Sequence, residues 1–267
     1  MAKSLFEIPG VQTRKVLDWV LEINNLDVRD FNHFEEFKKL FLEFPILVLK
    51  KQTLDQTCFL EFMRKFGTPV AQKFKRNFVI EMTDRSQTQL SSTSELGWHS
   101  DESYQTEYAE ALCLYAVCIP PEPGKTHWAN ANLAYLNLSE DQKARLANLI
   151  CYHEFENFDD YLKDLVEFES EKAKRINYAF GKCAHSVVGT WREKPFLRLN
   201  HGFTTEILDA PAELLPNLLD KITEAGNIYS HQWSEGDLVV CNNHLLIHRR
   251  DRFLDPRRFL YRGLMNL

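Results

Sequence analysis

With 267 residues, of which 44% are hydrophobic and 26% charged, the chain can bury a sizeable core and has the composition of an ordinary globular protein. Thirty-two basic against 38 acidic residues give a formal charge of −6, and no Lys/Arg cluster is interleaved with aromatics, which argues against nucleic acid as a partner. The opening "MAKSLFEIPGVQ" lacks the apolar core of a signal peptide and the longest apolar run, "ALCLYAVCI", is too short to span a bilayer, so no membrane partner is expected and the cytoplasm is the expected compartment.

In chain order, helical spacing runs through "RKVLDWVLEI" (14–23) and "FEEFKKLFLEF", then through "LDQTCFLEFMRKF", which begins after Thr53 as N-cap and stops at Gly67 as a C′ glycine. Between the last two lies "PILVLKK", an apolar run of strand length. Further strands are predicted at "NFVIEM", "ALCLYAVCI", "AHSVVGT", "FLRLN", "NIYSHQW", "GDLVVC" and "FLYRGLM". Ser139 with Gln142 forms a capping box before "KARLANLI", and "AELLPNLLDKITEA" predicts a helix with Pro216 in its first turns. The acidic run within 158–175 reads as a solvated helix, with a lid as the other reading. Strands without regular βα alternation favour an antiparallel sandwich or barrel with helices packed outside, and without repeat or linker, 1–267 reads as a single domain. Cys58, Cys113, Cys118, Cys151, Cys183 and Cys241 show neither CxxC nor zinc-finger spacing and read as reduced, mostly buried thiols.

The stretch "LGWHSDESY" carries the chemistry. In an extended strand residues i and i+2 project from one face, roughly 7 Å apart, so His99 and Asp101 share a face. An imidazole and a carboxylate so placed are two members of a 2-His-1-carboxylate triad for Fe(II); a His–Asp hydrogen bond in a polar loop is the alternative. The far end, "WSEGDLVVCNNHLLIHRRDRFLDPRRFLYRGLM", offers His248 as the third ligand, with Arg258 ten residues later and Arg262 four beyond that. An arginine inside an apolar strand is costly unless it meets an anion, and a planar guanidinium suits a carboxylate.

Taken together, "WHSD", "EPGKTHWANANLAYLNLS", "LNHGFTT" and "GDLVVCNNHLLIHRR…PRRFLYR" resemble the taurine dioxygenase (TauD/TfdA-like) family of Fe(II)- and 2-oxoglutarate-dependent oxygenases, over roughly residues 30 to 265. The order of HxD, GxT about 25 residues on, and a distant His followed by Arg after ten carries the specificity. The resemblance implies a double-stranded β-helix, a jelly roll with the metal at its mouth. It implies His99, Asp101 and His248 as iron ligands, and Thr126 and Arg258 as the groups that hold the distal carboxylate of 2-oxoglutarate. Arg262 falls where some members hold an anionic group of the prime substrate. The implied activity is O2-dependent oxidation of a small molecule with release of succinate and carbon dioxide: hydroxylation by default, with desaturation or oxidative decarboxylation using the same chemistry. The family commonly reads Asp-Asn-Arg where this chain has Asn242, Asn243 and His244, which puts the structural role of the missing acid in doubt.

The expected substrate is a small carboxylate- or amino-acid-like molecule held near Arg262, with a cationic or hydrogen-donating group meeting Glu95; the alternative is that Arg262 pairs internally with an acid such as Glu95. Trp98 and Tyr104 flank the triad and could wall the pocket, or simply pack in the barrel. His127, if its strand alternates, faces away from the cosubstrate. His33, His153, His185, His201 and His231 have no ligand partner at suggestive spacing, and His201 is the least safe of these because its segment matches the family. As an open-mouth ligand, Asp101 is expected to contribute function rather than stability. A zinc-dependent jelly-roll hydrolase, in which Arg258 and Thr126 would share no purpose, and a catalytically silent binding protein are the competing readings; assembly into a homo-oligomer stays open.

Overall fold

The computed structural model describes residues 8–30, 32–71, 77–82, 95–154 and 182–267; the acidic run within 158–175 lies outside them. β1 (Gln12–Leu17) and β2 (Val20–Asn24) form an antiparallel hairpin where helical spacing predicted a helix over 14–23. Val16, Leu17, Val20 and Leu21 fit a helical stripe, but their spacing equally fits two short strands around a two-residue turn. Tertiary pairing decides between them. β2 lies parallel to β3 (Ile46–Leu49), and Arg14 meets its cross-strand partner Glu22 at 2.9 Å.

Two predicted helices form as expected: α1 (Phe34–Glu43) and α2 (Gln56–Phe66). The cap of α2 is Asp55, whose carboxylate accepts from the Cys58 N–H at 2.7 Å, and not Thr53. Gly67 does end the helix, but with φ −161 it is extended and not left-handed. Its smallness serves a close approach: a Cβ there would stand 2.3 Å from the Asn266 carbonyl oxygen.

The remaining strands are β4 (Thr68–Val70), β5 (Val79–Met82), β6 (Leu96–His99), β7 (Ala111–Cys118), β8 (Thr126–Asn130), β9 (Ile150–His153), β10 (Cys183–Ser186), β11 (Val188–Trp191), β12 (Lys194–Leu197), β13 (Thr204–Ile207), β14 (Ile228–His231), β15 (Leu238–Asn242), β16 (Leu246–Arg250) and β17 (Phe259–Asn266). The run "AHSVVGT", predicted as one strand, is split between β10 and β11 at Val187. Between them come short helices: α3 (Ala131–Leu136), α4 (Glu140–Leu146) and α5 (Leu214–Ile222). The Ser139–Gln142 capping box forms at α4, and Pro216 sits in the first turn of α5, where its missing N–H costs no helical bond.

A large sheet runs β1-β2-β3-β15-β7-β17-β4, with β5 also on β17, and a four-stranded sheet runs β14-β8-β16-β6. This is the double-stranded β-helix. Apart from Arg262 and their terminal asparagines, central strands β7, β15 and β17 are apolar on both faces because both faces are covered. On the outer face Phe37, Phe41, Phe62 and Phe66 interlock, with the Phe37 and Phe66 rings 5.3 Å apart, and Phe59 lies 5.8 Å from Tyr261. Burying each such ring contributes about 1.5–3 kcal/mol. Gly263 lets α2 settle on β17, since a Cβ there would meet the Met63 sulfur at 2.3 Å. Strand alternation then turns the neighbouring Arg262 to the opposite, inner face.

All six cysteines are free thiols, three of them buried. Among the described residues no helix is long and apolar enough to cross a membrane.

Candidate metal centre

His99 closes β6 and His248 lies in β16; the two are register partners in the four-stranded sheet. Asp101 follows two residues after His99. The ligand atoms of these three residues all lie within 4.8 Å of one another, and Asp101 Oδ1 is 3.6 Å from His99 Nε2 and 3.9 Å from His248 Nε2. His99 Nδ1 is 2.7 Å from the Gly97 carbonyl oxygen, which can only accept. Nδ1 therefore carries the proton and Nε2 presents its lone pair to the centre. Burial pushes the His248 imidazole down to about 3, so it is neutral and free to ligate.

Asp101 is 4% exposed, and burial alone would raise its carboxyl. The Arg262 charge and the two histidines outweigh that and hold it well below the usual carboxylate range. Arg262, itself 5% exposed, places Nη2 2.8 Å and Nε 3.2 Å from Asp101 Oδ2. The internal partner of Arg262 is thus Asp101 and not Glu95. Glu95 instead stands at the surface, its side chain 60% exposed and 3.1 Å from Arg249. The expectation that Glu95 and Arg262 jointly frame a substrate has no support in this geometry.

Arg258, just before β17, and Thr126, the first residue of β8, line the same cavity as the triad, with apolar Leu112, Leu114 and Leu260. Arg258 is 3% exposed and its Nε has no hydrogen-bond partner. Burial, then the charge of Arg250, lowers it to about 9. A desolvated guanidinium opening into a cavity is a receptor for an anion. Arg250 lines that cavity too, and both guanidiniums lie over Phe253, at 5.0 and 5.1 Å from the ring centroid.

Sequence reasoning missed three supporting residues. The Trp233 indole N–H donates to Thr126 Oγ at 2.9 Å, which leaves the threonine's own O–H to donate elsewhere. Asn243 accepts from the Asp101 N–H and donates to the Asp101 carbonyl, both at 2.9 Å, so it fixes the backbone of Asp101. Gly202 lies against His99, where a Cβ would be 3.1 Å from the histidine's own. No spacing rule marks a single tryptophan or asparagine; only the family-like segment "LNHGFTT" hinted at Gly202. The doubt over the lost acid also resolves: Asn242 Oδ1 accepts from the N–H groups of His244 and Leu245, at 3.0 and 2.7 Å, so an amide oxygen shapes that turn.

Of the aromatics, Tyr104 is buried, with its ring 5.0 Å from Phe203, which in turn is 6.1 Å from His99. Trp98 packs elsewhere, 6.5 Å from the His127 ring and beneath the Arg249 guanidinium. His127 bonds Ser230 and Asp251, at 2.7 and 2.9 Å, away from the cavity. His153 and His185 are buried and bracket the Ser103 carbonyl at 3.0 Å each; His231 bonds Asp237, while His33 and His201 are exposed.

The family model for the taurine catabolism dioxygenase TauD, TfdA family matches residues 12–264. The chain is 27% identical to an alpha-ketoglutarate-dependent 2,4-dichlorophenoxyacetate dioxygenase of Cupriavidus pinatubonensis, over 90% of this chain and 92% of that one. Among solved structures it is similar to a taurine dioxygenase from Burkholderia xenovorans, with TM-score 0.77 and 21% identity over 97% of this chain and 92% of that one. It is equally similar to AAD-2 in complex with Mn(II) and N-oxalylglycine, with TM-score 0.77 and 21% identity over 96% and 98%.

Proposed function

Because the chain belongs to the TauD/TfdA dioxygenase family, an Fe(II)- and 2-oxoglutarate-dependent oxidoreductase class acting on small molecules, we propose that His99, Asp101 and His248 hold its iron and that Thr126 and Arg258 hold its cosubstrate. The observation that carries this assignment is the convergence of three ligand atoms beside a buried arginine whose Nε lacks a partner. The donor set fits: two neutral imidazoles and one carboxylate suit Fe(II) and leave positions open for other ligands.

With Fe(II) and 2-oxoglutarate bound, the centre supplies oxidative decarboxylation coupled to oxidation of a substrate C–H bond, with succinate and carbon dioxide released. The protein's part is orientation. His99 is fixed through Gly97, Asp101 through Asn243 and Arg262, and Thr126 through Trp233. Arg258 and the Thr126 hydroxyl would together meet the distal carboxylate, and the leucines beside them keep water from that pair. A hydrolase would leave this second pair of groups without a purpose.

The prime substrate we propose is a small carboxylate-bearing molecule, supported by the 2,4-dichlorophenoxyacetate of the Cupriavidus relative. Tyr104 is the predicted substrate contact that best suits a pocket wall, through Phe203 to His99. One domain over 1–267 and a reducing, cytoplasmic setting complete the reading; six unpaired cysteines suit such a compartment. Succinate release screened over small carboxylates, sulfonates and amino acids, followed by mass spectrometry of the product, tests it. Succinate formed only with sulfonates, or with none of these classes, would count against the carboxylate assignment.

A further inference from the structure

Among the described residues no carboxylate meets Arg258; the charge that bears on it is that of Arg250, which repels it. Its Nε has no hydrogen-bond partner. The Arg258 guanidinium carbon instead lies 5.1 Å from the centroid of the Phe253 ring, and that of Arg250 lies 5.0 Å from the same centroid. Phe253 is itself 4% exposed. A guanidinium within about 6 Å of an aromatic face is attracted by the ring quadrupole, most strongly where water is excluded.

The ring is set in place by the segment that carries Thr126. The Asp251 N–H donates to the Lys125 carbonyl at 2.9 Å, and the Asp251 carboxylate accepts from His127 Nε2 at 2.9 Å. Gly124, at φ +68, comes so close to residues 251–253 that a Cβ there would stand 2.8 Å from the Asp251 carbonyl oxygen and 3.3 Å from the Phe253 Cβ. Phe253 is thereby fixed beside the stretch whose Thr126 lines the same cavity as Arg258. We propose that Phe253 is a positioning residue: its ring holds the Arg258 guanidinium against the repulsion of Arg250 and keeps it aimed at the distal carboxylate of the cosubstrate. The proposal rests on the reading that Arg258 binds 2-oxoglutarate. Phe253 acts through Arg258, so what it contributes is a π face and not merely volume.

The test is a calorimetric titration of 2-oxoglutarate into the Mn(II)-loaded full chain, where no turnover intervenes. Phe253→Leu keeps an apolar side chain and removes the face. It should weaken 2-oxoglutarate binding by about 3- to 30-fold while Mn(II) affinity stays at the parent value. Phe253→Tyr, which keeps the face, should bind nearly as the parent does. Combined with Arg258→Ala, Phe253→Leu should add no further loss, because the two residues act as one unit. Phe253→Met, a flexible filler without a ring, takes its place if thermal melts show the leucine variant unfolded. Equal 2-oxoglutarate affinity in the parent and the ringless variant, a tyrosine variant as weak as the ringless one, or losses that simply add in the double variant overturn the proposal. If Arg258→Ala alone binds 2-oxoglutarate like the parent, the cosubstrate reading falls first and this inference with it.

Discussion

His99 and His248 sit opposite one another on neighbouring antiparallel strands, their imidazole centroids 4.3 Å apart. β16 is flanked by β6 and β8, so backbone ladders on both sides fix where His248 points. Replacing either ring with an apolar residue should abolish metal binding while the ladder survives. His248→Leu is expected to melt near the parent temperature and to show no Mn(II) uptake; retained uptake would place the metal elsewhere.

Asp101 behaves differently, because it has two partners. As a ligand at an open mouth it was expected to matter for function alone, but its side chain is buried against Arg262. Asp101→Ala leaves that guanidinium facing an empty place, so activity should vanish and stability should fall by about 3–5 kcal/mol. Asp101→Asn, which still offers an acceptor, should cost less. Urea unfolding of the two variants measures the difference.

The cosubstrate end should show a graded series. Arg258→Ala should raise the apparent 2-oxoglutarate requirement by about 2–5 kcal/mol, as a buried charge-assisted partner is lost. Thr126→Ala should cost about 0.5–1.5 kcal/mol, and Trp233→Phe, which removes the N–H that orients the hydroxyl together with part of the indole ring, no more than that in 2-oxoglutarate affinity. Titration calorimetry with 2-oxoglutarate ranks the three; equal affinities would break the assignment.

Gly263 is where packing sets chemistry. A valine there would drive its Cβ into Met63 and Phe59 on α2. The expected loss is about 1–3 kcal/mol of stability, with reduced metal affinity if β17 shifts and carries Arg262 with it. Denaturant midpoints and Mn(II) titration on the same preparation report both effects.

Acid should loosen the fold through buried histidines outside the triad. Burial, then the Arg198 charge, pushes His244 from an ordinary 6.5 down to about 4, and burial, then His185, does the same to His153. Because the folded value is the lower, the unfolded chain takes up protons first. Stability is full above pH 6.5 and declines as pH falls toward about 4, by up to roughly 3 kcal/mol for each histidine. His244→Phe, which keeps the 4.3 Å stack on Tyr108, should flatten that slope between pH 6.5 and 4.

How much of this was legible depends on the range of the interaction. His99 and Asp101 were read as one strand face; β6 ends at His99 and Asp101 lies in the turn after it, yet their side chains meet at 3.6 Å, while His248 and Arg258 follow from spacing shared with a family. Thr126 was legible for the same reason, but the Trp233 that orients it was not, since the two lie 107 residues apart in the chain. Arg262 was recognised as needing an anion, yet its partner depends on how one sheet closes over the other. The hairpin over 12–24 was misread because its apolar spacing serves helix and strand alike until β3 is beside it. Trp98 and Glu95, one and four residues before His99, point away from the triad. Proximity along the chain did not translate into proximity at the site.

His99, Asp101 and His248 are proposed to hold Fe(II), with 2-oxoglutarate anchored at Arg258. Anaerobic addition of 2-oxoglutarate to the Fe(II)-loaded protein measures it directly, through the visible metal-to-ligand charge-transfer absorption that chelation produces. The parent should develop that band at one equivalent of each, His248→Leu should show none, and Arg258→Ala should need far more 2-oxoglutarate to reach it. A parent protein that stays colourless, or a His248→Leu variant that develops the same band, would contradict the account.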